Sequence, residues 1–190
     1  RDRAESGLIL INSPRSPLSE AIRTLRTSFH FGLGGEEAKV ICITSPSPGD
    51  GKSTVTSNFA IAMAQAGRKV LLIDADMRKP RQHVIFGKTA EIGLATVLAD
   101  RRPFEEAIQS TEVERLSLLP CGPTPSQPVE LLNNGYFGEL ITQLSEHYDR
   151  IVIDSPPVLP VADARVIAAM SDATLMVLRA ERATRRLSQG

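Results

Sequence analysis

The residues best suited to chemistry lie between positions 45 and 54, where two glycines precede a lysine and two hydroxyl side chains. Glycines let consecutive backbone N–H groups turn toward one point, as a bound polyphosphate requires. Lys52 would reach the β- and γ-phosphates, and the Ser53 hydroxyl would ligate Mg²⁺. Pro46 stands where the strict pattern has its first glycine, so only the distal half is regular. The predicted nucleotide contacts are Pro48, Gly49, Asp50, Gly51, Lys52, Ser53 and Thr54.

The flanking residues supply the context that such a loop needs. Residues 39–44 are apolar and β-branched, which predicts a buried strand, and residues 55–66 predict a helix closed by Gly67. The helix N-terminus would add its partial positive charge at the phosphates. The alternative is a glycine-rich turn with a chance Gly-Lys-Ser, and the strand before it and the helix after it argue against that alternative.

Acidic residues follow two other predicted strands. Asp74 and Asp76 come after the apolar run 70–73, and Asp154 comes after 151–153. In open α/β sheets a ligand sits outside the carboxyl ends of the strands. Carboxylates there could hold Mg²⁺ or accept a proton from an attacking hydroxyl, although they could also be helix caps or solvated loop acids.

The elements that must position these residues alternate between strand and helix. Strands are predicted at 40–44, 70–73, 116–119, 151–153 and 174–178. Helices are predicted over 91–100, over 104–110, from Val129 with a break near Gly135, and over 162–170. This alternation predicts one domain, an α/β three-layer αβα sandwich with a mainly parallel sheet. Residues 1–37 would form a lead-in and a helix, and residues 38–190 the nucleotide-binding core.

The N-terminal helix carries a second group of charged residues. Ser16 is a candidate N-cap with Pro17 at the first helical position, and glycines at 32, 34 and 35 predict the end of the helix. Leu18, Ala21, Ile22, Leu25 and Phe29 would form its apolar face. Glu20, Arg23 and Arg26 lie on another face, within about a 120° arc. That face is either solvated or a lateral docking surface.

Composition narrows the class of protein. Among 190 residues, 22 are basic and 22 acidic, so nothing global favours binding to nucleic acid. The two cysteines, Cys42 and Cys121, are too few for a disulfide framework and suit a reducing cytosol. No apolar run is long enough to span a bilayer. The chain starts at Arg1, and we expect it to be a piece of a longer protein that ends early at the C-terminus.

Three motifs together, at 49–53, 72–76 and 153–157, resemble those of the bacterial tyrosine kinases of the capsular or extracellular polysaccharide family. The resemblance runs from Ser13 to about Arg179 and implies the phosphate-loop (P-loop) NTPase fold with a deviant Walker A loop. It implies that Lys52 clamps the phosphates, that Ser53 and Asp154 serve the metal, and that Asp74 and Asp76 complete the metal site and supply the base. The family's Glu-x-x-Arg-x-x-Arg motif matches Glu20, Arg23 and Arg26, which implies assembly into a ring.

The resemblance implies an ATP- and Mg²⁺-dependent protein-tyrosine (auto)kinase that regulates exopolysaccharide or capsule synthesis at the inner face of the cell membrane. Its partners would be further copies of itself, a membrane activator and a tyrosine-bearing protein. Ser47 stands where partition ATPases carry an extra lysine, which favours a kinase over a partition-type ATPase. The family's tyrosine-rich tail has no counterpart near the end of this sequence, whose two tyrosines are Tyr136 and Tyr148. Either the tail lies outside this sequence, or the protein does not phosphorylate itself in the usual way. The alternative is a nucleotide-switched oligomerisation module that controls polysaccharide chain length without kinase activity.

Overall fold

A six-stranded sheet forms the centre of the molecule in a computed structural model that describes residues 7–32 and 37–180. The strands are β1 Val40–Thr44, β2 Val70–Asp74, β3 Gln109–Ser110, β4 Leu116–Leu119, β5 Arg150–Asp154 and β6 Ala173–Met176. They lie in the order β3-β4-β2-β5-β1-β6. Every neighbouring pair is parallel except β3 with β4.

Helices cover both faces of the sheet. Alternate residues of the central strands point to opposite sides, so both faces carry apolar side chains that the helices bury. Cys42 of β1 belongs to one apolar cluster, whereas Ile41 and Ile43 belong to the other. The predicted three-layer αβα sandwich is therefore confirmed. The helices are α1 Ile9–Asn12, α2 Pro17–Gly32, α3 Lys52–Gln65, α4 Gln82–Ile85, α5 Leu94–Asp100, α6 Pro128–Asn133, α7 Tyr136–His147 and α8 Asp163–Ala169.

Helix α2 begins as predicted but turns a different face inward. The Ser16 hydroxyl accepts a hydrogen bond from the backbone N–H of Ser19 at 3.2 Å, and α2 ends at Gly32; the other predicted terminating glycines lie outside the described residues. Ile22 and Phe29 are buried, and Phe29 meets Phe59 of α3 edge-on at 5.6 Å. The prediction that Leu18 and Ala21 share this face was wrong, because both are exposed. Ser19 is buried instead, with its hydroxyl donating to the backbone oxygen of Ser13 at 2.7 Å.

Two further predictions need correction. The predicted helix over 104–110 is wrong: a single 3₁₀ turn at Phe104–Glu106 is followed by β3, a two-residue edge strand that the sequence pattern had not shown. The predicted helix over 91–100 starts only at Leu94, because residue 93 is in extended backbone. Neither change touches the central strands. Within the described residues, no helix is both long and apolar enough to cross a membrane.

Strand register brings the two acidic strand ends together. In the β2–β5 ladder, Asp74 pairs with Asp154, and in the β5–β1 ladder Asp154 pairs with Ile43. The loop that precedes α3 leaves β1 directly beside them. The carboxyl ends of three neighbouring strands therefore meet at one edge, where open α/β sheets bind their ligands.

Candidate active site

The loop between β1 and α3 has the backbone form that its glycines predict. Gly49 and Gly51 have φ values of 86° and 93°, in the left-handed region that side chains disfavour. The Asp50 carboxylate accepts a hydrogen bond from the Ser47 N–H at 3.0 Å, which closes the loop on itself. Gly51 lies directly before Lys52, the first residue of α3. The loop therefore delivers Lys52 and Ser53 at a helix N-terminus, where backbone N–H groups favour anions.

Lys52 points into the cluster of acids and not into solvent. Its Nζ donates to Asp154 Oδ1 at 2.7 Å, lies 3.2 Å from Asp76 Oδ2 and donates to Ser53 Oγ at 3.2 Å. The residue is only 6% exposed. Burial by itself would lower the pKa of Lys52, but the carboxylates of Asp154 and Asp76 outweigh burial and raise it. The ammonium is therefore charged and held between two acids.

Asp154 is fully buried and has donors on both oxygens. Besides Lys52, Oδ1 has the Thr56 hydroxyl at 3.3 Å, and Oδ2 accepts from Gln82 Nε2 at 2.7 Å. A buried carboxylate is stable only when it is paired in this way. Asp154 thus links β5 to the first turns of α3 and α4.

Asp74 and Asp76 have different surroundings. Both oxygens of Asp74 face backbone N–H groups: Oδ1 that of Asp76 at 3.3 Å, Oδ2 those of Arg81 and Gln82 at 2.9 and 2.8 Å. Burial, and then the charge of Asp154, raises the pKa of Asp74 to about 8. Asp76 contacts Lys52 directly and accepts the Lys79 N–H at 3.0 Å. Asp74 holds the loop after β2, and Asp76 faces the ammonium.

The expected circle of three carboxylates around one metal ion is not formed. Among the described residues, no group of three or more His, Cys, Asp or Glu side chains is arranged to hold a metal. The physical reason is that Lys52 lies between Asp76 and Asp154, while Asp74 faces backbone amides. The residues still suit Mg²⁺, because this ion is usually held by one or two carboxylates, substrate phosphates and water. Asp154 and the Ser53 hydroxyl offer the hard oxygen atoms that this arrangement needs.

Sequence reasoning did not predict the contacts that Gln82 and Arg78 make in this region. Gln82 is fully buried and bonds both Asp154 and the backbone oxygen of Ser53. Arg78 pairs with the buried Asp163 of α8 through two hydrogen bonds of 2.8 and 3.3 Å. Their partners are 29 to 85 residues away in the chain, so no local spacing could have indicated them.

The predicted oligomerisation residues lie apart from this cluster, on α2. Arg23 forms an exposed ion pair with Glu20, one helical turn away. Arg26 donates to the backbone oxygen of Ala62 at 3.4 Å and so lies against α3. None of these contacts reaches the acids at the strand ends. The exposed part of the predicted docking face is the Glu20–Arg23 pair.

Comparison with known proteins agrees with this geometry. The family model for the AAA domain matches residues 38–189. The chain is 39% identical over 176 residues to tyrosine-protein kinase YwqD of Bacillus subtilis, covering 93% of this chain and 74% of that protein. It is 40% identical to the putative tyrosine-protein kinase CapB of Staphylococcus aureus, over 93% of this chain and 78% of that protein. It is 39% identical to tyrosine-protein kinase wzc of Salmonella typhimurium but spans only 24% of that protein.

Solved structures give the same result. The kinase domain of Escherichia coli tyrosine kinase ETK matches with a TM-score of 0.91 and 33% identity, over 95% of this chain and 71% of that chain. The septum site-determining protein MinD of Pyrococcus horikoshii, complexed with Mg-ADP, matches with a TM-score of 0.64 and 32% identity over 73% of this chain and 57% of that chain. These two likenesses, together with the mainly parallel six-stranded sheet of this chain, assign the fold to the P-loop type. This chain belongs to the family of bacterial tyrosine-protein kinases.

Proposed function

We propose that this chain is an ATP- and Mg²⁺-dependent protein-tyrosine kinase domain. The observation that carries the proposal is the position of Lys52, a buried ammonium held by Asp154 and Asp76 at the N-terminus of α3. A phosphate-binding loop, a cation and acids at adjacent strand ends are the parts that phosphoryl transfer needs. The names of the relatives, tyrosine-protein kinases, support tyrosine as the acceptor.

The reaction would transfer the γ-phosphoryl group of ATP to a tyrosine hydroxyl. The bond between the γ-phosphorus and the β–γ bridging oxygen breaks, a bond to the tyrosine oxygen forms, and ADP leaves. Lys52 would neutralise charge on the phosphates, and the N–H groups of the loop would orient them. Mg²⁺, held through Ser53 and Asp154, would supply further charge neutralisation. Asp74 and Asp76 are the candidate bases for the tyrosine proton; Asp76 faces the ammonium, whereas both oxygens of Asp74 already accept backbone N–H groups.

The acceptor tyrosine would belong to another protein or to a part of the protein beyond this sequence. Tyr148 is half-buried and packs on the core, with Lys69 Nζ 5.1 Å from the centre of its ring. Tyr136 also packs against the core. Neither side chain is on an exposed tail. In this proposal the domain acts at the inner face of the membrane, beside a membrane activator in polysaccharide synthesis or export.

The test is transfer of radiolabel from γ-labelled ATP to a peptide that carries several tyrosines, with the full-length protein and its membrane activator present. We expect phosphotyrosine from the wild type and a loss of about 10²–10³-fold in Lys52→Met. Lys79→Met is the matched control, because Lys79 is exposed on the loop after Asp76. Absence of phosphotyrosine from a wild type that binds ATP would contradict the proposal.

Self-association of the α2 face is a separate part of the proposal. The exposed ion pair of Glu20 and Arg23 supports the proposal that α2 contacts a second copy of the protein. Glu20→Lys should therefore shift the protein toward monomer in analytical ultracentrifugation. If Lys52→Met protein still assembles and supports normal polysaccharide output, the nucleotide-switched module would be the better description.

A further inference from the structure

Gln82, the first residue of α4, joins three parts of the site that arrive from distant parts of the chain. Its backbone N–H donates to Asp74 Oδ2 at 2.8 Å, at the end of β2. Its side-chain Nε2 donates to Asp154 Oδ2 at 2.7 Å, at the end of β5, and to the backbone oxygen of Ser53 at 3.0 Å, in the first turn of α3. The side chain is fully buried.

The orientation of the Gln82 amide is fixed by its partners. Both atoms that Nε2 meets, a carboxylate oxygen and a backbone carbonyl oxygen, are acceptors. Turning the amide over would place Oε1 against two other oxygens and lose both bonds. The donor side of the amide is therefore committed to Asp154 and Ser53.

The acceptor side of the same amide has no partner. Oε1 is buried and receives no hydrogen bond from the described residues. Buried acceptors are nearly always satisfied by protein or by ordered water, so an orphaned one indicates a missing ligand or water. Here the orphaned oxygen belongs to the side chain that holds Asp154, the carboxylate expected to serve Mg²⁺.

We propose that Gln82 is a positioning residue that orients Asp154 for Mg²⁺ and accepts, through Oε1, a hydrogen bond from a water molecule held in the occupied site. Nε2 keeps one oxygen of Asp154 turned away from Lys52, so that release of Lys52 to the phosphates leaves the carboxylate in place. The second Nε2 bond, to the backbone oxygen of Ser53, links the orientation of Asp154 to the turn that carries the Ser53 hydroxyl, the second oxygen expected to bind the metal. The inference rests on the proposed function only in so far as the site binds a magnesium nucleotide.

The experiment measures ADP and Mg²⁺ binding by isothermal titration, with the protein at its full length. Gln82→Met keeps the size of the side chain and removes both its hydrogen-bond roles. We expect the apparent affinity for Mg²⁺ at fixed ADP to fall by about 10-fold or more, as is common when a group that orients a metal ligand is lost. The affinity for ADP without Mg²⁺ should change by less than about 2-fold, because Gln82 does not contact the phosphate loop's N–H groups.

An Asp154→Asn background separates positioning from general damage. If Gln82 acts through Asp154, Gln82→Met should have little further effect on Mg²⁺ affinity once Asp154 is replaced. Val84→Ala, an exposed position on the same helix, is the matched control and should leave both affinities unchanged. If Gln82→Met does not fold, Gln82→Asn provides a polar replacement too short to span Asp154 and Ser53.

Two results would overturn the inference: an equal loss of ADP affinity with and without Mg²⁺, or an unchanged Mg²⁺ affinity in a folded Gln82 variant. Both readouts are independent of kinase activity. A wild type that binds Mg-ADP and shows the expected Gln82 effect, but makes no phosphotyrosine, would contradict the proposed function alone. A wild type that binds no Mg-ADP would contradict both.

Discussion

Replacing Lys52 with methionine should destabilise the nucleotide-free domain by about 3–5 kcal/mol, because it removes one partner of a buried ion pair and leaves the other charged. Asp154 is fully buried and Asp76 is 5% exposed, so water cannot readily replace the lost ammonium. The shortest distances, 2.7 Å to Asp154 and 3.2 Å to Asp76, place both carboxylates in direct contact with Nζ. If Lys52 contacted only nucleotide, its replacement would not lower the stability of the nucleotide-free domain.

The pH dependence of this loss follows from the pKa of Lys52. Burial lowers that pKa, but the carboxylates of Asp154 and Asp76 outweigh burial and raise it. A raised pKa in the folded state gives stability that is fully present below the unfolded pKa of a lysine, about 10.4, and is lost as pH rises through the folded value. The difference in the free energy of unfolding between wild type and Lys52→Met should therefore stay constant from pH 7 to pH 9.

Urea unfolding of wild type, Lys52→Met, Asp154→Asn and the double variant, without nucleotide or Mg²⁺, measures the coupling directly. The double variant should recover more than about 0.5 kcal/mol relative to the sum of the single losses, since neither partner is then left alone. Lys79→Met, an exposed lysine, should change stability by less than about 0.5 kcal/mol. A Lys52→Met protein as stable as wild type at pH 8, or strictly additive losses, would refute the reasoning.

Three further predictions follow from groups around the site. The pKa of Asp74 is raised to about 8, so the stability that this carboxyl contributes is lost as pH rises from about 4 to about 8. In urea unfolding, the wild type should therefore lose stability relative to Asp74→Asn over that range. Arg78→Ala should cost about 1 kcal/mol, because it strands the buried Asp163 carboxylate although Arg78 itself is partly exposed; unchanged unfolding would contradict this. Burial raises the pKa values of Cys42 and Cys121 to about 11 and 12, so iodoacetamide at pH 8 should label both in urea and neither in the native protein by mass spectrometry.

The parts of this site that could be predicted from sequence are those with local signals. An apolar run followed by an acid marks the ends of β2 and β5, and Gly49 and Gly51 before Lys52-Ser53 mark the loop. Parallel pairing then places these ends at the same edge of the sheet. The αβα sandwich follows from the same alternation of strand and helix.

The parts that could not be predicted depend on contacts between distant segments. Gln82 has no motif, and its role exists only because α4 folds back between Asp154 and Ser53. Strand β3 is two residues long and exists only by pairing with β4. On α2, Ser19 lies inward with its hydroxyl bonded to Ser13, a contact that hydrophobic spacing does not reveal.

The placement of Lys52 explains how a site with several acids can receive a polyanion. Asp154 and Asp76 hold the Lys52 ammonium next to the phosphate-binding loop. The ammonium is therefore already desolvated and oriented before nucleotide binds. When phosphates take Lys52, the two carboxylates lose their counter-charge in a buried setting, which is unfavourable unless another cation replaces it. Mg²⁺ is a cation suited to the oxygen atoms of Asp154 and Ser53. Binding of nucleotide and of metal should therefore be mutually dependent, with each strengthening the other by the same factor.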